Sequence, residues 1–178
     1  LKQGINNCSI INDSYSADIN SLAIALDFLE QHQQHSKRTV MLSDLVQTGK
    51  TDDELYEYIA AVLKKKNPNR FIGIGPQMIK YAALFSAISE THFFSSTEEF
   101  LQNSGALHFL DETILLKGAR VFRFEKISKL LEQKLHQTFL EIDLNALRHN
   151  LKIYRQQLRK EVKLMCMVKA FSYGSGSF

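Results

Sequence analysis

The first 133 residues alternate between short apolar runs and longer amphipathic segments, and this alternation restricts the fold more than any other feature. The short runs have strand length, and the longer segments repeat apolar residues three and four apart, as a buried helix face requires. The predicted strands cover residues 9–12, 38–42, 71–74, 92–94 and 113–116. The predicted helices cover residues 21–31, 52–66, 76–86, 96–102 and 124–135. Such alternation predicts an α/β fold with a Rossmann-like, doubly wound, mostly parallel sheet covered on both faces.

The pattern starts again after residue 133, with a predicted strand at 138–142, a helix at 144–158 and a second strand at 162–168. One β-α-β unit of this size cannot bury both faces of its strands. We therefore predict two domains, 1–133 and an incomplete 134–178. The charge changes at the same place: the second part has eight Lys and Arg against three Asp and Glu, which is +5, whereas the first part has −2.

The composition is that of an ordinary soluble protein, with 44% hydrophobic and 23% charged residues. No apolar run approaches the length of a membrane span, and the start lacks the pattern of a secretion signal. Cys8 and Cys166 lie in apolar runs and are predicted to be buried free thiols, which favours a cytoplasmic location. The cations of the second part have helical spacing, which favours a solvated helix face over a nucleic-acid surface.

A polar loop follows the first apolar run, in the string IINDSYSADINSL at residues 10–22. Ligands of parallel sheets bind at the carboxyl ends of strands, although Asp and Ser also serve as ordinary turn and cap residues. The string resembles DDSYNANPxSM, which opens the C-terminal domain of Mur ligases. This resemblance implies a loop that faces the nucleotide, with contacts from Asn12, Asp13, Tyr15 and Ser16. Ser16 stands where the family usually has Asn.

Two further strings resemble the same family. VMLSDLVQTG at 40–49 is similar to VLGDMxELG, and LLKGAR at 115–120 is similar to LVKGSR. The resemblance implies substrate binding by Asp44, Lys117 and Arg120. From the residues alone, an Asp that follows a strand, such as Asp44, is most often a helix or turn cap. The two cations are equally consistent with a solvated basic turn and with a site for a phosphate or carboxylate.

The three strings occur in the family's order, and the resemblance covers residues 1 to about 130, which is only the last domain of such a ligase. The resemblance extends to the member that adds D-alanyl-D-alanine to UDP-muramoyl tripeptide, and it implies a reaction that uses ATP and magnesium. The chain has no phosphate-binding GxxxxGK[ST] string, so these cofactors are expected to be bound mostly by other domains.

The end of the chain carries a different resemblance. An apolar run meets Lys169 in the string KLMCMVKAFSYGSG at 163–176, which on spacing alone describes a strand that ends at a charged residue. The string resembles the VKANAYGHG motif of alanine racemases, and residues 138–158 resemble their IDLxALxHN segment. This implies the opening β-α-β unit of a TIM barrel. It also implies pyridoxal phosphate, with Lys169 as Schiff-base lysine and catalytic base and Tyr173 at the cofactor phosphate.

The order of the two resemblances is that of a bifunctional ligase and alanine racemase found in some bacteria. It implies small-molecule substrates (ATP, UDP-muramoyl tripeptide, D-alanyl-D-alanine and alanine), no nucleic-acid or membrane partner, and a parent protein that dimerises through its racemase part. We expect the 178-residue chain alone to catalyse neither reaction. The alternative is a stand-alone Rossmann-like binding or docking module without catalysis.

Overall fold

The computed structural model describes residues 1–14, 18–32, 34–45, 49–133, 141–167, 169 and 172. The chain divides into two compact units, Leu1–Leu135 and His136–Phe178. The first unit contains a six-stranded sheet with the order β1-β2-β6-β3-β4-β5. Only the edge pair β1 and β2 is antiparallel, and the other four pairings are parallel. The prediction of a mostly parallel α/β sheet is confirmed.

The strands are β1 (Lys2–Gln3), β2 (Ser9–Asp13), β3 (Lys37–Ser43), β4 (Arg70–Ile74), β5 (Glu90–Phe94) and β6 (Glu112–Lys117). The helices of this unit are α1 (Ile19–Gln31), α2 (Asp52–Lys66), α3 (Pro76–Lys80), α4 (Thr97–Asn103) and α5 (Glu125–Leu131). Short 3-10 turns occupy Ala82–Phe85, Ser104–Ala106 and Arg120–Phe122.

Alternate side chains of the central strands enter two separate apolar cores, because successive residues of a strand face opposite sides of the sheet. One core joins side chains on one face of the sheet, such as those of Ile11 and Leu115, to α1, α2 and the turn after α3. The other joins Ile10 and Leu116 to α4 and α5. Both faces of the sheet are thus covered, which explains why the strand sequences are nearly continuous apolar runs.

Local sequence signals determine most helix ends. Thr51 caps α2: its hydroxyl accepts from the backbone N–H of Glu54, and the Glu54 carboxylate accepts from the backbone N–H of Thr51. Asn67 ends the helix in the left-handed conformation. The predicted helix 76–86 is the main difference, since α3 ends at Lys80 and a 3-10 turn follows. The two-residue strand β1 was not predicted, and other boundaries differ by a few residues at most, except at the end of α5.

A buried ionic cluster joins the amino ends of four strands. The fully buried Glu112 accepts hydrogen bonds from Thr39 and from Arg70 Nη1, the latter at 3.3 Å. The guanidinium also lies 2.7 Å from Glu90 and stacks over the ring of Phe109. Since a buried carboxylate requires such partners, this cluster fixes the sheet at the edge opposite the predicted site.

The second unit contains α6 (Leu144–Gln157), whose first turn is capped by Asp143. The predicted strand 162–168 is wrong over residues 162–167, which are irregular in the structure. Part of the predicted strand 138–142 lies outside the described residues, and residues 141 and 142 are not in a strand. A strand needs a neighbour for its backbone hydrogen bonds, and the described residues of this unit supply none.

The two cysteines differ in environment. Cys8 is buried, and burial raises the pKa of its thiol. Cys166 is exposed, so the prediction that both thiols are buried is wrong for the second one. Within the described parts of the chain, no helix has the length and apolar character needed to cross a bilayer.

Candidate functional site

Three neighbouring strands end side by side at one edge of the sheet. In the strand register, Asp13 of β2 is opposite Lys117 of β6, which in turn is opposite Leu42 of β3. The predicted site residues Asn12, Asp13, Asp44 and Lys117 therefore come from strand ends that lie next to each other. This is the edge at which parallel sheets hold ligands.

The ends of β2 and β6 are joined by an ion pair. Lys117 Nζ lies 2.7 Å from Asp13 Oδ2; the lysine side chain is fully buried, whereas 37% of the aspartate side chain is exposed. A buried ammonium needs such a partner, because its desolvation is costly. Lys117 is thus not the solvated cation of a basic turn, and its charge holds the carboxylate of Asp13 at the mouth of the site.

The adjacent Asn12 is held from the other face of the sheet. Its Nδ2 donates to Ser128 Oγ of α5 at 2.9 Å, and its Oδ1 accepts from the backbone N–H and the hydroxyl of Ser14. Ser128 itself donates to Glu132, which also receives Lys2 Nζ at 2.7 Å. The hydrogen bond from Lys2, followed by that from Ser128, lowers the pKa of the Glu132 carboxyl.

The end of β3 is tied to the segment after β6. The backbone N–H of Ala119 donates to Ser43 Oγ at 2.7 Å, and that hydroxyl donates to the carbonyl of Asp44. Gly118 is required here, because a Cβ would lie 2.8 Å from the ring of Phe124. This hydroxyl link between two strand ends was not predicted from the sequence.

Asp44 is buried and has three donors around its carboxylate. Tyr56 Oη and the N–H of Met78 donate to Oδ1, each at 2.8 Å, and the N–H of Gln77 donates to Oδ2 at 3.1 Å. Burial, followed by the hydrogen bond to Asp44, raises the pKa of the Tyr56 phenol. These contacts describe the capping role that the sequence left open, at the start of α3. The substrate-binding role of Asp44 stays a prediction.

The close packing around Asp44 explains why residue 75 is a glycine. Gly75 has φ of 137°, a conformation that L side chains rarely adopt, and a Cβ at this position would lie 2.3 Å from Asp44 Oδ2. The glycine therefore lets the carboxylate approach the first turn of α3.

Three predicted site residues of the first unit take no part in the contacts described above. Arg120 is exposed at the start of the Arg120–Phe122 turn, on the segment that follows β6. Tyr15 and Ser16 lie outside the described residues.

A cavity of about 410 Å³ adjoins Asp13 between β2 and α1, with an apolar wall that includes Ile11 and Phe28.

The described residues of the second unit do not by themselves form a site for pyridoxal phosphate. Lys169 is exposed and has a helical backbone, so its predicted place at the end of a strand is wrong. A Schiff-base lysine requires a desolvated pocket, and an exposed side chain lacks one. Tyr173 lies outside the described residues. In the first unit, as in the rest of the described chain, no cluster of three or more metal-ligating side chains occurs.

Comparison with known proteins gives two separate similarities. A family model described as "Alanine racemase, N-terminal domain" matches residues 142–178. Most of the chain is instead similar to UDP-N-acetylmuramoyl-tripeptide–D-alanyl-D-alanine ligases. That of Buchnera aphidicola subsp. Baizongia pistaciae is 27% identical over 72% of this chain and 27% of the ligase. That of Bacillus subtilis is 25% identical over 71% of this chain and 29% of the ligase.

The fold gives the same similarity. A crystal structure of MurF from Acinetobacter baumannii superposes with a TM-score of 0.55 at 17% identity, over 72% of this chain and 29% of that one. A second crystal structure of the same protein gives 0.50 at 20% identity, over 68% and 27%. The mostly parallel sheet therefore matches the Rossmann-like C-terminal domain of MurF. The chain spans just over a quarter of the length of these relatives.

Proposed function

We propose that residues 1–133 act as the last domain of an ATP- and magnesium-dependent amide ligase in the cytoplasmic assembly of a peptidoglycan precursor. The single observation that carries this is the edge formed by Asn12, Asp13 and Lys117, in a chain similar to D-alanyl-D-alanine-adding ligases. The edge supplies polar groups at the ends of adjacent strands. It has neither a phosphate-binding loop nor, among the described residues, a metal cluster.

The role that fits this edge is to close over a nucleotide bound by other domains and to orient the incoming dipeptide. Asp13 offers a carboxylate whose position is fixed by Lys117, and Asn12 starts the loop that faces the nucleotide. Orientation of reacting groups is a large share of catalysis in such ligations. Arg120 lies on the segment just beyond Lys117 and is proposed as a contact to a substrate carboxylate or phosphate.

We further propose that residues 134–178 are the opening of an alanine-racemase-like domain, which makes the parent protein a bifunctional enzyme. The match of residues 142–178 to the racemase family model supports this. The exposure of Lys169 is consistent with a unit that needs more of its barrel to form a cofactor site. In the parent protein, Lys169 would hold pyridoxal phosphate and Tyr173 its phosphate.

Binding experiments on the 178-residue chain test the ligase assignment. NMR titration with ATP plus magnesium and with D-alanyl-D-alanine is expected to shift amides near Asp13, with dissociation constants in the millimolar range. Lys117→Met is expected to weaken this binding, whereas Lys64→Met, on the exposed end of α2, is the matched control. Shifts confined to other parts of the sheet would contradict the proposal.

Activity assays separate the fragment from its parent. We expect neither ATP-dependent ligation nor alanine racemisation by the 178-residue chain, and no stable borohydride-reducible adduct at Lys169. Turnover in either assay would contradict the expectation that other domains are required. Binding of nucleotide and peptide with no activity in any longer form of the protein would favour a docking module.

A further inference from the structure

A chain of hydrogen bonds crosses from the edge strand to the candidate site through α5. Lys2 donates to Glu132, Ser128 donates to the same carboxylate oxygen, and Asn12 donates to Ser128 Oγ. The last of these contacts joins residues 116 positions apart in the sequence. These hydrogen bonds therefore connect the edge of the sheet to the start of the loop at the candidate site.

Ser128 is an unusual residue for its position on α5. Only 2% of it is exposed, and its helix neighbours Ile127 and Leu131 are buried in the apolar core. A hydroxyl buried without partners is costly, and Ser128 avoids this cost by accepting one hydrogen bond and donating another. An amide N–H of Asn12 can only donate, so Ser128 Oγ accepts from it and directs its own proton to Glu132.

These roles fix the orientation of the Asn12 amide. With Nδ2 directed to α5, Oδ1 is directed to Ser14, whose backbone N–H lies 3.2 Å away. This hydrogen bond, from the residue two positions later to a side-chain oxygen, forms an Asx turn. The turn determines the direction in which the chain leaves β2.

We propose that Ser128, anchored by Glu132, is a positioning residue that holds the Asn12 amide and thereby sets the conformation in which the site loop begins. The inference rests on the proposed function for one point, which is that the ligand of this loop is a nucleotide. Because the loop starts in one conformation, less conformational freedom is lost on binding, and binding is tighter. Ser128 acts through Asn12 and does not itself contact the ligand.

Amide hydrogen exchange of Ser14 tests the positioning role in the 178-residue chain. Ser128→Ala removes the acceptor for Asn12, and exchange at Ser14 is expected to become about fivefold faster, since one lost hydrogen bond is worth about 1 kcal/mol. Ser128→Thr retains the hydroxyl and is expected to restore slow exchange. Ser104→Ala is the matched control, because that hydroxyl donates to the carbonyl of Leu101, three residues earlier in the chain.

A core amide such as that of Ile72 serves as the reference for global stability. An equal acceleration at Ile72 and Ser14 would overturn the proposal, as would unchanged exchange at Ser14. If Ser128→Ala does not fold, Glu132→Ala removes the anchor of Ser128 at a partly exposed position, leaves both hydrogen-bonding atoms of Asn12 in place, and is expected to accelerate exchange at Ser14. No acceleration at Ser14 in that variant would also overturn it.

Titration with ATP plus magnesium separates this inference from the proposed function. We expect the dissociation constant to rise about fivefold in Ser128→Ala and to be unchanged in Ser104→Ala. If the wild-type chain shows no shifts at the loop, the proposed function fails, and the exchange data still decide the role of Ser128. If the loop binds ATP equally well in both variants, the positioning role fails and the proposed function stands.

Discussion

The buried carboxylate of Asp44 makes the most exact prediction about this fold. Asp44→Asn keeps the shape of the side chain but replaces one acceptor oxygen by an NH₂ group. If Oδ1 stays with Tyr56 and Met78, the new NH₂ faces the N–H of Gln77, which now lies 3.1 Å from Oδ2. The substitution removes the charge-assisted hydrogen bond from Gln77 and places two N–H donors opposite each other in a buried position. We expect this to lower the free energy of unfolding by about 2–4 kcal/mol.

Urea denaturation followed by circular dichroism measures this cost, with an unchanged slope indicating that only stability has changed. Asp27→Asn is the matched control, because Asp27 forms an exposed ion pair with Lys66 and its side chain is 56% exposed. Such a surface pair is worth less than about 1 kcal/mol. If the two substitutions cost the same small amount, the argument that Asp44 organises the start of α3 is refuted.

Three further predictions concern other contacts of the first unit. Gly75→Ala is expected to destabilise the chain by about 3–5 kcal/mol in the same assay. The new Cβ would collide with the carboxylate of Asp44, and the backbone of residue 75 has a φ that alanine rarely adopts; a cost below about 1 kcal/mol would contradict this. Glu112→Ala is expected to cost about 3–5 kcal/mol, since it removes the fully buried carboxylate that faces the guanidinium of Arg70 and leaves the partly exposed Glu90 to balance that charge; a wild-type urea midpoint would refute it. The lowered pKa of Glu132 gives stability that is complete above its ordinary value of 4.5 and is lost as the pH falls through the lowered value, so Glu132→Gln should reduce the drop in melting temperature below pH 4.5; identical pH profiles would contradict this.

The alternation of strands and helices was predictable because it depends on local pattern. Apolar runs of three or four residues define the central strands, and the Thr51 cap with three acidic residues behind it marks the start of α2. The strand β1 was not predictable in this way. Its two residues, Lys2 and Gln3, are exposed and owe their strand conformation to pairing with β2.

The hydrogen-bond and ion-pair partners of the candidate site residues were not predictable from the sequence. The string LLKGAR describes a lysine in a basic turn, whereas β6 continues to Lys117 and places it against Asp13, 104 positions earlier. Ser128 has no motif at all. A single serine between buried apolar residues of a helix was the available signal, and its meaning depends on Asn12 being opposite in space.

The two last residues of β2 are held from opposite faces of the sheet. Lys117 fixes Asp13 on the side of α1, and Ser128 fixes Asn12 on the side of α5, as the alternation of side chains along a strand requires. Loss of either contact leaves the other in place, so substitutions at Lys117 and Ser128 are expected to affect the loop independently. The strand end is thereby fixed before any ligand arrives. Under the proposed function, this division lets the domain present polar groups in defined positions to a nucleotide bound by other domains.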